Sequence, residues 1–233
     1  MTSTQNYRSK EFYTMLRKDL SVAIIDIPNF SEKTMFAGFF GGFGAVLTIL
    51  GAQYMPEKQR LVGLYQQLDK SFFTVRDASQ TTNSLTVEVG PKLGEFSTFY
   101  PQCMAYNQRE DIVIMGGSNS KDSRMGEALV AIFKIESDKL TYIDDMMLES
   151  FDRNKSMATT AITRVMGTDI FFAGCFGSIS LIEWTNIKLA LLAKYSGAHT
   201  WLVTQISTSS EEFFSLCKND KFLVYDRINL SGF

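Results

Sequence analysis

The stretch DIFFAGC at residues 169–175, followed by SISLI at 178–182 and KLALL at 188–192, shows the pattern that decides the fold. Short apolar runs rich in β-branched and aromatic residues are separated by turn-forming residues, which is typical of consecutive antiparallel strands. A further strand-like run at residues 160–165 precedes them. Together these runs predict one four-stranded antiparallel meander.

The same pattern occurs three more times along the chain. The other units are VLTILGA, RLVGLY and SFFTV within residues 46–75; DIVIMGG, ALVAIF and KLTYI within 111–143; and EFFSLC and KFLVY within 212–225, with preceding strands predicted at 35–39, 103–106 and 202–206. The step is seven residues from Tyr65 to Phe72, from Phe133 to Leu140 and from Ile182 to Leu189. Because loop length sets hairpin register, the constant step predicts a repeated hairpin geometry.

Repeated meanders of about 40 to 65 residues have the size of propeller blades. We therefore predict an all-β fold, a β-propeller of four-stranded antiparallel blades with about four blades present. The strands are apolar on both faces, as expected where each sheet packs between neighbours. The sequence leaves open whether the ring closes by itself, is completed by a second copy or a partner chain, or belongs to a longer product.

The C-terminal units resemble the WD40 repeat family. Gly197-Ala198-His199 is similar to the family's Gly-His pair, and SLCKNDKFLVYD at residues 215–226 is similar to its closing element, with Tyr225-Asp226 in place of Trp-Asp. The segment 173–183 is similar as well, with Ile182-Glu183 at the dipeptide position. The resemblance is clearest over residues 169–227 and implies a propeller scaffold. No unit carries both an intact Gly-His pair and an intact Trp-Asp pair, so the family's His–Ser/Thr–Asp hydrogen-bond network is left open.

Two segments precede the repeats. We predict residues 1–18 to be an N-terminal arm with a short amphipathic helix, because Ser9 is an N-cap residue and Phe12, Met15 and Leu16 share one helical face. Residues 19–233 are then the propeller domain. Within it, residues 19–27 read as a strand that pairs with residues 221–225 and completes the last unit, because both strands otherwise leave an open sheet edge.

The uncharged run at residues 34–52 has an alternative interpretation. Its 19 residues approach the length of a membrane span, and Gly38 and Gly42 have the GxxxG spacing of membrane helix pairs. The cluster Gly41-Gly42-Phe43-Gly44 instead divides the run into two strand-length pieces, which favours a hairpin. A membrane-attached subunit stays as the alternative to a propeller without a span.

Composition disfavours several kinds of chemistry. The single histidine, His199, excludes a multi-histidine metal site within the chain. Cys103, Cys175 and Cys217 form no CxxC pair, so they read as buried apolar residues of an intracellular protein, cytoplasmic or nuclear. We expect no cofactor, no metal and no enzymatic activity; a propeller enzyme with a central-channel site is a further alternative. The net charge of −2 gives no indication of nucleic-acid binding.

The long connections between strands predict where a partner binds. They span residues 53–59, 78–100, 118–127 and 147–157, and we expect antiparallel order to bring them to one face. Because their charges are of both signs, we expect a protein partner rather than a phosphate backbone. The predicted partner-binding cations are Lys58, Arg60, Lys121, Arg124, Arg153 and Lys155. The predicted function is a non-enzymatic scaffold in a multi-protein assembly.

Overall fold

A computed structural model of the chain shows an all-β protein. It describes residues 12–16, 21–26, 31–40, 47–90, 92–93, 97–107, 110–122, 126–148, 158–165, 167–197, 199, 201–208, 213–217 and 223–225. Within these ranges every regular element is a strand, and every strand pairing is antiparallel. The predicted fold class of four-stranded antiparallel meanders is confirmed.

The chain divides into two compact units, residues 1–89 with 136–140 and residues 90–135 with 141–233. The first unit holds two sheets whose strands follow chain order. Sheet 1 contains β1 (Phe12–Leu16), β2 (Val22–Asp26) and β3 (Ser31–Phe36), and sheet 2 contains β4 (Leu47–Met55), β5 (Arg60–Gln67), β6 (Lys70–Asp77) and β7 (Leu85–Val89).

The second unit begins with a short ladder of β8 (Lys92–Leu93) and β9 (Ser97–Thr98) and then holds three larger sheets. Sheet 3 contains β10 (Tyr100–Asn107), β11 (Ile112–Ser118), β12 (Ala128–Ile135) and β13 (Leu140–Leu148). Sheet 4 contains β14 (Ala161–Arg164), β15 (Ile170–Gly174), β16 (Ser178–Trp184) and β17 (Leu189–Ser196). Sheet 5 contains β18 (Val203–Thr208), β19 (Phe213–Cys217) and β20 (Leu223–Tyr225). These three sheets match the second, third and fourth sequence units strand for strand.

Three hairpins close with the same loop length, as the seven-residue step predicts. Gln67 pairs with Lys70 around a two-residue turn, and the Glu136 and Thr185 amides donate to the carbonyls of Lys139 and Lys188 at 3.0 and 3.1 Å. A two-residue loop suits the twist of paired strands when its backbone adopts positive φ. Asn186 does so at φ 66°.

The sheets of the second unit pack first strand against first strand, β10 on β14 and β14 on β18. The chain entering sheet 4 donates from the Thr159 amide to the Gly117 carbonyl at 2.8 Å, and the chain entering sheet 5 donates from Val203 to Cys175 at 3.3 Å. We call each of these hydrogen-bonded contacts between successive sheets a joint. At each joint, the chain that enters one sheet is bonded to a residue in or directly after the second strand of the preceding sheet. This repeated packing is the arrangement of neighbouring propeller blades.

Glycine makes these joints close. A Cβ on Gly174 would lie 2.7 Å from Val203 Cγ1, and one on Gly116 would lie 2.5 Å from Thr159 Cγ2. Both distances are shorter than van der Waals contact, so any other residue would separate the strands.

The first unit has an aromatic core next to a buried arginine. Phe36, Phe39 and Phe40 are buried and pack with Tyr54 and Tyr65. This packing buries three aromatic residues of the apolar run at residues 34–52. None of the described residues forms a helix that is both long and apolar enough to cross a membrane.

Arg76 fixes the turn at residues 37–40 against sheet 2. Its guanidinium donates to the Ala37 carbonyl at 2.7 Å, to the Gly38 carbonyl at 3.3 Å and to the Asn83 side chain at 2.7 Å. Only 4% of Arg76 is exposed, and burial lowers its pKa. These hydrogen bonds compensate the desolvation of the charge.

Two predictions for the N-terminal region are wrong. Residues 12–16 of the predicted helix form β1, because Phe12, Tyr13 and Thr14 favour strands and β2 offers an edge for pairing. The predicted pairing of residues 19–27 with 221–225 is excluded, because β2 lies in the middle of sheet 1 and both of its edges are occupied by β1 and β3.

The boundary of the first sequence unit is also corrected. The strand predicted at residues 35–39 ends in β3 of sheet 1 at Phe36, and sheet 2 begins one strand later, at β4. The fourth strand of sheet 2 is β7. Because β3 and β4 belong to different sheets, the hairpin predicted within residues 34–52 does not form. The boundary between sheets 1 and 2 is set by which strands pair over long distances. The connections within a sheet and between sheets look alike in the sequence, so the sequence did not reveal it. The glycine cluster at 41–44 lies outside the described residues.

Candidate functional site

The predicted partner-binding cations occupy different structural environments. Lys58 is exposed in the turn between β4 and β5, and Lys121 is exposed in the loop after β11. Arg60 is half-buried with its Nε 2.8 Å from Asp77 Oδ1, so its charge is paired inside sheet 2. Arg124, Arg153 and Lys155 lie outside the described residues.

The expectation that their loops share one face is not supported by the strand order. Lys58 follows the first strand of its sheet, whereas Lys121 follows the second strand of its sheet. Successive turns of an antiparallel meander lie at opposite ends of its strands. The two lysines therefore do not hold equivalent positions. That these cations bind a partner remains a prediction.

A cleft in the second unit has the features expected of a binding site. It has a volume of about 420 Å³ and is lined by Glu110, Ile112, Lys134, Ile143, Trp184 and Asn186. These residues come from sheet 3 and from the β16–β17 hairpin of sheet 4. We call it the Trp184 cleft. Apolar side chains with a few convergent polar groups are typical of sites that bind ligands or partner side chains.

Two carboxylates of sheet 3 and its turns hold the β16–β17 hairpin at the cleft. The Trp184 indole Nε1 donates to Glu110 Oε2 at 3.1 Å, and the Leu189 amide donates to Asp144 Oδ2 at 2.7 Å. Trp184 and Leu189 are cross-strand partners, so both residues of this pair are hydrogen-bonded to carboxylates of sheet 3 and its turns. Charge-assisted hydrogen bonds of this kind position side chains strongly.

Polar groups at the cleft can form further hydrogen bonds with a ligand. Within the described ranges, neither the exposed Lys134 ammonium nor the exposed Asn186 carboxamide has a hydrogen-bond partner. Glu110 Oε1 likewise has no partner there, because Trp184 occupies only Oε2. A bound molecule can therefore form hydrogen bonds without breaking any that are present.

Two carboxylates of β13, Asp144 and Asp145, place negative charge around Tyr142. The Tyr142 hydroxyl donates to Asp145 Oδ2 at 3.0 Å, and its ring packs edge-on against Phe133. Burial first, then the hydrogen bond and charge of Asp145 and the charge of Asp144, raise the pKa of Tyr142 to about 12. Nearby negative charges disfavour the phenolate and would favour a cation.

His199 has a structural environment. It is buried before β18, and its Nε2 lies 2.7 Å from Ser215 Oγ in β19. This contact joins the segment that enters sheet 5 to the second strand of that sheet. A histidine held in this way stabilises the sheet rather than facing solvent.

The cysteines are also buried, and none of the three forms a disulfide. Burial raises the pKa of Cys103 to about 12 and that of Cys175 to about 11. Because the thiolate is the reactive form, neither is activated as a nucleophile. No group of three or more potential metal-ligating side chains occurs among the residues whose placement is described.

No protein-family model matches this chain, and no curated protein matches it.

Sequence reasoning missed the Trp184 cleft. Trp184 is only 5% exposed, as a residue that packs at the end of a strand is. A buried indole N–H requires an acceptor, which was the available signal that a polar partner lay nearby. Nothing in the sequence pointed to Glu110, which lies 74 positions away.

Proposed function

We propose that this chain is a non-enzymatic, WD40-like scaffold that binds a partner protein at the Trp184 cleft. The observation that carries the proposal is the cleft itself, which is lined by a fixed indole, two isoleucines and three polar groups with hydrogen-bonding capacity. Tryptophan is enriched at the energetic centres of protein interfaces.

The architecture of the second unit supports the WD40-like assignment. Successive four-stranded sheets meet through repeated backbone joints, at Thr159 with Gly117 and at Val203 with Cys175. The hydrogen bond between His199 and Ser215 corresponds to the histidine–serine contact that the family resemblance implies. Rigid repeated sheets are suited to presenting binding surfaces.

The chemistry of the buried groups supports binding over catalysis. The thiols of Cys103 and Cys175 have raised pKa values, which oppose nucleophilic attack at neutral pH. Three buried cysteines outside disulfides also favour a reducing, intracellular location.

The test is comparative affinity purification of the full chain with quantitative mass spectrometry. We expect a partner that is retained by wild type and by a Glu88→Gln control but lost with Glu110→Gln. Glu88 is a suitable control because it is a partly exposed carboxylate on sheet 2, paired with Lys70. If all three proteins retain the same partners to the same extent, the cleft is not the binding site.

A further inference from the structure

The charged groups at the Trp184 cleft differ in how firmly they are held. Glu110 is half-buried, and its carboxylate accepts a hydrogen bond from an indole that is itself buried. Lys134 is exposed, and its ammonium has no described partner that holds it in place. A fixed charge binds an opposite charge with less ordering cost than a mobile one. The better prepared binding group is therefore the carboxylate.

The surroundings of Glu110 can also receive a long side chain. Asp144 lies on the adjoining strand β13 and accepts a hydrogen bond from the Leu189 amide of the same hairpin. Among the lining residues, Glu110 is the one carboxylate and Lys134 is the one cation. Ile112 and Ile143 also line the cleft and offer apolar surface to an aliphatic stem.

We propose that the Trp184 cleft binds an arginine side chain presented by an extended segment of a partner protein. The guanidinium donates to Glu110 Oε1 and to the Asn186 side-chain oxygen, and its stem packs on Ile112 and Ile143. Arginine fits better than lysine because its planar fork donates in several directions and is weakly hydrated. The inference rests on the proposed binding function and names the group that is recognised.

Removing the charge of Lys134 should change arginine binding in the opposite direction to removing the charge of Glu110. The Lys134 ammonium lines the same cleft and repels an incoming cation, so neutralising it strengthens arginine binding. Neutralising Glu110 removes the attractive charge and weakens binding. A site for an acidic side chain would show both effects reversed.

The test uses the full chain labelled with ¹⁵N and the blocked peptide acetyl-Gly-Gly-Arg-Gly-Gly-amide. The indole N–H signals of Trp184 and Trp201 are assigned with Trp184→Phe and Trp201→Phe. We expect the Trp184 signal to shift on titration with this peptide, and the shift to be lost with the uncharged citrulline peptide. Glu110→Gln should weaken binding about tenfold or more, whereas Lys134→Gln should strengthen it about two- to fivefold.

Matched controls lie on sheet 2, where Lys70 and Glu88 form an exposed ion pair. Lys70→Gln and Glu88→Gln should leave arginine-peptide binding unchanged. A shift with the glutamate peptide instead of the arginine peptide, or none with either at millimolar concentration, overturns the proposal. If partner capture still depends on Glu110 in that case, the scaffold function stands and only the arginine assignment fails. If the arginine peptide binds but no partner depends on Glu110, the arginine site stands and the proposed partner binding fails.

Discussion

The Trp184 indole donates to the Glu110 carboxylate at 3.1 Å, and the two residues are separated by 74 positions in the chain. Glu110 lies in the turn before β11, and Trp184 ends β16. One hydrogen bond thus connects sheet 3 to the hairpin of sheet 4 and forms one side of the cleft.

Replacing Trp184 with Phe should lower the free energy of unfolding by about 1.5 to 3 kcal/mol, because a hydrogen bond to a charged group is lost. Urea denaturation followed by circular dichroism measures this change. Trp201→Phe is the matched control, since the Trp201 ring packs on Phe176 and its indole has no described acceptor. Equal effects of the two substitutions would show that the bond to Glu110 adds no stability.

Replacing Phe172 with Ala should cost about 3 to 5 kcal/mol, because Phe172 is fully buried in the core of sheet 4. Leu191 lies in the same sheet but is 50% exposed, so Leu191→Ala should cost under about 1 kcal/mol. Both values come from chemical denaturation. A loss below about 1 kcal/mol for Phe172→Ala would contradict the placement of β15 in the core.

Replacing Gly117 with Ala should destabilise the protein more than replacing Gly174 with Ala. The new methyl at 117 meets the Tyr100 backbone carbonyl at 2.2 Å, whereas the one at 174 meets the Val203 side chain at 2.7 Å. Overpacking costs about 1 to 3 kcal/mol, and a side chain yields more easily than backbone. Thermal denaturation of both variants gives the order, and the reverse order would contradict the close approach of Gly117 to the Tyr100 backbone.

Stability should fall as the pH rises above about 9. Cys103 and Cys175 have pKa values of about 12 and 11 in the fold against an ordinary value of 9.0, so the unfolded chain ionises first. Their contribution is complete below pH 9 and is lost as the pH rises toward the folded values. Between pH 8 and 10 we expect a loss of about 1.4 kcal/mol for each thiol.

The double variant Cys103→Ala, Cys175→Ala isolates this contribution. Its unfolding free energy should depend less on pH over the same interval, measured by urea denaturation at each pH. Parallel curves for the variant and wild type would mean that the thiols do not supply the dependence.

The strands of the second unit were predictable from local pattern. Runs such as DIVIMGG and DIFFAGC combine β-forming residues with glycine turns, and these determine strand position and hairpin length over short distances. The burial of the three cysteines followed from the apolar stretches around them. The helix predicted within residues 1–18 is wrong over residues 12–16, because those residues pair with β2, a contact that local periodicity does not contain.

The sequence by itself determined that this chain is all-β and built from repeated antiparallel hairpins, because strand propensity and turn chemistry act within a few residues. Only the tertiary structure decided that sheet 2 begins at β4, that β2 lies at the centre of sheet 1, and that Glu110 meets Trp184. These relationships depend on which distant edges and polar groups satisfy one another. Many pairings have nearly equal local preference, so packing and hydrogen bonding across the whole fold select among them.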